Sequence, residues 1–95
     1  MIEVRQTEVF AEWFQSLKDR PTRIRIQKRI DRLPYGLLGD AKFFNGIGEL
    51  RLDFGPGYRI YFVQRGNELI ILLSGGDKGS QESDIKRAIE MAKEV

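Results

Sequence analysis

Arg51, Asp53, Arg59, Tyr61, Asp77 and Lys78 are the side chains of this sequence whose types and spacing can do chemistry together. A guanidinium binds two phosphate oxygens at once, and an ammonium adds a point charge. Cations fixed where negative charge develops would lower the barrier to cleaving RNA through its own 2′-hydroxyl, by roughly a few kcal/mol each. Positioning and electrostatics suffice for such a reaction in principle. Histidine and cysteine are absent, which excludes Ser-His and Cys-His nucleophiles and the usual imidazole or thiolate metal sites. A base must then come from Asp53, Glu49, Asp77 or the amine of Lys78, and the sequence does not choose among them. Arg and Lys interleaved with Glu49, Asp53 and Asp77 would repel a metal ion, so neither metal nor cofactor is expected. Gly75-Gly76 lacks the full pattern of a phosphate-binding loop.

Strand alternation is what would gather these groups. From Glu49 to Phe54, Leu50, Leu52 and Phe54 share one face while Glu49, Arg51 and Asp53 share the other. Tyr58 to Arg65 alternates again around Ile60 and Phe62. A loop of Gly55-Pro56-Gly57 would set Asp53 opposite Arg59 and Arg51 opposite Tyr61. With Gly66-Asn67 as the next hairpin loop, Arg59 would face Ser74, and Gly75-Gly76 would end a strand running from Glu68 to Ser74. Asp77 and Lys78 would then leave the strand end beside Arg59. The plain alternative is an ordinary cross-strand ion pair between Asp53 and Arg59, worth roughly 0.2–1 kcal/mol.

The first half reads as the scaffold. Ile2 to Gln6 alternates as a short strand. Thr7 looks like an N-cap for a helix running to about Lys18, with Phe10, Trp13, Phe14 and Leu17 at helical spacing. Pro21 suits the first turn of a second helix with an apolar stripe of Ile26, Ile30 and Leu33, ended by Pro34 and Gly36. The chain carries 16 Lys and Arg against 14 Asp and Glu, a net charge of only +2. The excess is local: Arg20, Arg23, Arg25, Lys28, Arg29 and Arg32 meet one acid, Asp31. Such a face suits nucleic acid or an acidic protein segment, or is simply solvated. Lys42 to Asn45 fits a short strand, and a last helix capped near Ser80 buries Ile85, Ala88, Ile89 and Ala92. Ninety-five residues make one domain, 1–95. The start, Met1-Ile2-Glu3-Val4-Arg5, lacks a signal-peptide pattern, and the apolar run Leu69 to Leu73 is too short to span a bilayer.

Several runs carry a family resemblance. The segment from Glu49-Leu50-Arg51 through Gly55-Pro56-Gly57-Tyr58-Arg59 to Phe62 resembles the central part of HigB-like addiction-module killer proteins, a branch of the RelE/ParE toxin superfamily. Leu73-Ser74-Gly75-Gly76-Asp77-Lys78-Gly79-Ser80-Gln81 is similar too, as is the first helix with Phe10, Trp13 and Phe14. The resemblance implies an α+β, RelE-like fold: an N-terminal strand, a two-helix hairpin on a twisted antiparallel sheet of four to five strands, and a short C-terminal helix. It also implies a cytoplasmic toxin neutralised by a cognate antitoxin, in this branch a helix-turn-helix, HigA-like repressor. Relatives cleave mRNA in the ribosomal A site with basic residues of the sheet.

By position, Arg51, Arg59 and Lys78 match those basic residues, with Asp53 and Asp77 beside them as catalytic candidates. Arg23, Arg25, Lys28, Arg29, Arg32 and Tyr61 are the candidates for RNA or ribosome binding. Asp84 or Ile85 stands where RelE relatives often carry a tyrosine, and the histidines of HigB relatives are missing. The Arg51, Arg59 and Lys78 cluster, together with the basic second helix, makes an mRNA endonuclease the leading expectation. A ParE-like inhibitor of DNA gyrase, or a decayed toxin that only binds its antitoxin, are the competitors.

Overall fold

Local capping sets the helices. In the computed structural model, which describes residues 1–95, the Thr7 hydroxyl accepts the Phe10 amide at 3.1 Å and donates to the Leu73 carbonyl at 2.6 Å. One side chain thus caps helix α1 (Glu8–Ser16) and ties its start to a strand; such a cap contributes about 1 kcal/mol. Asp19 caps α2 (Arg20–Asp31) by accepting the Thr22 amide and hydroxyl, with Pro21 in the first turn. A 3-10 turn, Leu33–Tyr35, closes it at Gly36, whose φ of 75° suits glycine.

The strands are β1 (Glu3–Gln6), β2 (Ala41–Phe44), β3 (Ile47–Leu52), β4 (Tyr58–Arg65) and β5 (Leu69–Asp77), and α3 (Gln81–Ala92) ends the chain. They form one sheet in the order β1-β5-β4-β3-β2. The four strands β2 to β5 are an antiparallel meander, whereas β1 pairs parallel with β5. The sheet is therefore mixed rather than wholly antiparallel. No hairpin joins β1 to its neighbour; the chain leaves it through two helices and returns from the far edge.

Each face buries its own cluster. Phe10, Ile26 and Leu33 from the helical hairpin pack on Leu50, Leu52, Ile60, Phe62, Ile70 and Leu72. Opposite, Ala88 packs on Ile47, Tyr61, Val63 and Leu73, joined by Ile85, Ile89 and Ala92. Double coverage explains the apolar run of β5. Each large aliphatic side chain so buried contributes roughly 1.5–3 kcal/mol.

Both hairpin registers differ from the sequence expectation. Leu52 faces Tyr58, Arg51 faces Arg59 and Glu49 faces Tyr61, so the turn spans Asp53–Gly57. Gly55 and Gly57 both have positive φ, and the Gly57 amide donates to Phe54 O at 3.0 Å, which draws Asp53 and Phe54 out of the strand. Asp53 therefore does not face Arg59. The displacement is by two residues, which leaves every side chain on its expected face. In the next hairpin Arg65 faces Leu69, and a bulge follows: Phe62 faces Leu72, but Tyr61 faces Ser74. An extra residue, Leu73, is absorbed there. Gly75 and Gly76 do not end β5; they lie within it, facing Ile60 and Arg59. Their place is explained by crowding, since a Cβ on Gly75 would enter the Trp13 ring and one on Gly76 the Asp84 carboxylate.

Candidate anion site at one end of the sheet

Arg51 lies between Leu50 and Leu52, and Arg59 precedes Ile60, all three of them in the hairpin-side cluster. Both arginines therefore project from the opposite, α3-covered face, directly across from one another. Arg59 in turn faces Gly76, and Tyr58 faces Asp77, after which the chain turns at Lys78. The Cβ position of Gly57 is 3.4 Å from Lys78 Cβ and 3.5 Å from Arg59 Nη1. Arg51, Arg59 and Lys78 thus meet at the sheet end marked by the Asp53–Gly57 turn.

Like charges directly opposite are destabilising, and the fold offsets only part of this. Arg51 Nη2 pairs with Asp40 at 3.2 Å. Arg59 Nη1 donates to the carbonyls of Gly57 and Tyr58, both at 3.2 Å. The Nε atoms of Arg51 and Arg59 are buried without a partner. Both arginines are partly exposed, and Lys78 is exposed. The arrangement gathers three cations, one of them paired with Asp40, and guanidiniums so placed can bind phosphate oxygens.

Behind the arginines runs a polar row: Glu49, Tyr61 and Ser74. Glu49 is only 2% exposed and accepts from Gln81 Nε2 at 2.8 Å. Burial first, and the Glu49 charge second, push the Tyr61 phenol well above its ordinary range. The hydroxyls of Tyr61 and Ser74 find no partner. Asp84 occupies the space over Gly76 and accepts from the Ser80 hydroxyl at 2.5 Å. In the sequence, Ser74, Ser80 and Gln81 read as strand, cap and family-run positions but not as part of this polar row; the one available signal is the phase of Glu49 and Tyr61, which match Arg51 and Arg59.

Other candidates take different places. Tyr61 is fully buried beneath α3 and offers no face to a nucleotide. Asp77 Oδ1 accepts the Gly79 and Ser80 amides at 2.8 and 3.3 Å, and so serves as the cap that sets Lys78 in its turn. Asp53 is exposed across the turn, where it borders a groove of about 430 Å³ with Arg25, Lys28, Arg29, Arg32, Leu52 and Phe54.

Within that groove the basic helix is not one surface. Arg25 stacks 3.8 Å above the Phe54 ring, while Lys28 and Arg32 point to solvent. Arg29 turns inward onto backbone carbonyls, and burial lowers its proton affinity. Arg23 donates to the Leu17 carbonyl at the end of α1. The physical reason is helical phase: Arg23 and Arg29 stand three residues either side of Ile26, on the buried stripe. Arg25, Lys28 and Arg32 remain for a partner, and they flank the Asp53–Gly57 turn from the side opposite Arg59 and Lys78.

No helix is long and apolar enough to cross a membrane. No protein-family model matches the chain. An uncharacterized protein of Haemophilus influenzae (strain ATCC 51907 / DSM 11121 / KW20 / Rd) is 44% identical over 95 residues, which cover 99% of this chain and 96% of that protein. The chain therefore belongs to the same family as this Haemophilus influenzae protein.

Proposed function

We propose that the chain is the toxin of a toxin–antitoxin pair, and that it arrests growth by cleaving mRNA on the ribosome. The observation that carries this reading is the Arg51–Arg59 cross-strand pair with Lys78 beside it. A phosphate seated there would meet cations from two adjacent strands and a capped turn. As the 2′-oxygen attacks and the 5′-oxygen departs, the charge on the phosphate oxygens grows, and fixed guanidiniums stabilise it without having to reorganise. With Asp53 across the turn and Asp77 engaged as a cap, Asp40 on Arg51, Glu49 and Asp84 are the carboxylates nearest the arginine-bearing face. Arg25, Lys28 and Arg32 supply a separate grip on ribosomal RNA phosphates, a contact that weakens with salt. The resemblance to HigB-like proteins adds the expected setting, a cytoplasmic toxin held by a helix-turn-helix antitoxin.

Controlled expression in bacteria, with mapping of mRNA 5′ ends, tests the proposal. Growth arrest with new ends in translated messages is the expected outcome, and Arg59→Ala should abolish both while leaving the circular dichroism spectrum unchanged. Arrest with intact messages and a DNA-damage response would replace the nuclease with gyrase inhibition. Unaffected growth would leave a protein that only binds its antitoxin.

A further inference from the structure

Arg29 donates three hydrogen bonds, all to backbone carbonyls: Nε to Leu38 at 2.9 Å, Nη1 to Arg51 at 2.9 Å and Nη2 to Asp40 at 2.8 Å. The residue between two of those carbonyls is Gly39, with φ +70°. A Cβ there would lie 2.9 Å from Arg29 Nε. Leu38–Asp40 is thus shaped around this guanidinium. What the clamped segment delivers is Asp40. Its carbonyl accepts the Arg51 amide at 2.9 Å and its carboxylate meets Arg51 Nη2 at 3.2 Å. Arg51 is therefore held at its amide and guanidinium by Asp40, and at its carbonyl by Arg29. Such an anchor is needed, because Arg51 faces the like charge of Arg59 and would otherwise splay away from it.

We propose that Arg29 is a positioning residue: by clamping Leu38, Asp40 and Arg51 it fixes the Arg51 guanidinium beside Arg59, and it does not itself touch the ligand. The inference rests on the reading of the Arg51–Arg59 pair as a phosphate site. Lysine cannot substitute, since one ammonium on a flexible stem does not span carbonyls arranged for a planar fork.

Inorganic phosphate titrated into the full chain, followed through the arginine Nε–Hε resonances in NMR spectra, tests this. Single arginine substitutions assign the signals. In the unmodified protein the Arg51 signal should move on titration and the Arg29 signal should stay still. An unmoved Arg51, or an Arg29 that moves equally, overturns the proposal, and this arm reads the unmodified chain, the substitutions serving only to assign its signals. Arg29→Lys should weaken phosphate binding at Arg59 about tenfold, the cost of losing one oriented charged hydrogen bond. In an Arg51→Ala background the same change should have no further effect, because it acts through Arg51. Costs that add, or unchanged binding in the single variant, mean a merely structural Arg29. The titration does not depend on RNA cleavage. A chain that leaves mRNA intact yet behaves this way loses the toxin reading alone, and one that cleaves mRNA but ignores Arg29→Lys loses the positioning alone.

Discussion

The two faces of the sheet are built to different standards. The face under α1 and α2 buries ten apolar residues and no unpartnered side-chain polar atom. The face under α3 buries five, and it holds every buried side-chain polar atom that lacks a partner: Arg51 Nε, Arg59 Nε, Tyr61 hydroxyl and Ser74 Oγ. Leaving such groups unmade costs about 1–3 kcal/mol each, so the second face is poor as a foundation. The difference teaches a division of labour. The helical hairpin supplies the stability, and the α3 face retains unspent hydrogen-bonding capacity and positive charge where a phosphate can use them.

Substitutions in the stable face should have the largest thermodynamic effect. Phe10→Ala, at a residue 1% exposed, should destabilise by about 3–5 kcal/mol in denaturant unfolding. A loss under 1 kcal/mol would mean that this face is not the foundation. On the other face the largest effect should fall on activity. Arg51→Ala should reduce mRNA cleavage roughly 100-fold or more, with no loss of melting temperature, because it removes one of two opposed cations. A variant that melts early and cleaves normally would reverse the assignment of the two faces.

How far the sequence reaches follows the same divide. Alternation told which residues of β3 and β4 share a face, because a two-residue slip preserves parity. Register was not legible. It depended on Gly55 and Gly57 adopting positive φ within the turn, and on a bulge at Leu73 that no residue type announces. Gly75-Gly76 reads equally well as a strand end or as a close approach, and only the Trp13 ring and Asp84 decide for the second. Arg29 was legible in retrospect, since it stands three residues after Ile26 on the inward stripe. Arg51, Arg59 and Lys78 lie at one end of the sheet despite the different register, because strand phase and chain continuity carry them there. Asp53 lies away from Arg59, Asp77 caps the turn at Lys78 and Tyr61 is buried under α3, placements that depend on exact neighbours and so are not readable from strand phase.

Gly76→Ala probes how tightly α3 is seated. Its Cβ would enter the Asp84 carboxylate and approach Ser80 Oγ at 3.0 Å. A destabilisation of about 1–3 kcal/mol in thermal unfolding is expected from such overpacking; none would mean that α3 rides loosely on the sheet. Tyr61→Phe should have a smaller effect of the opposite sign. Removing a buried hydroxyl without a partner should be neutral or stabilise by up to roughly 1 kcal/mol near neutral pH. The raised pKa of Tyr61 adds a pH dependence. The folded state binds that proton more tightly than the unfolded chain, so the contribution is complete below the unfolded value of about 10 and is lost as pH rises further. The variant should lack that alkaline decline, and a wild-type curve flat above this range would contradict the burial of the phenol. Lys28→Ala, exposed on α2, should move stability by no more than about 0.5 kcal/mol and lower the salt slope of RNA binding by about 1.

The most direct test of the central claim is the rate at which the purified chain cleaves mRNA on purified ribosomes, compared with Arg59→Ala. Cleavage by the unmodified protein is expected, with a rate at least about 100-fold lower in the variant and both equally folded. No cleavage by the unmodified protein, or an undiminished rate in the variant, would contradict that claim.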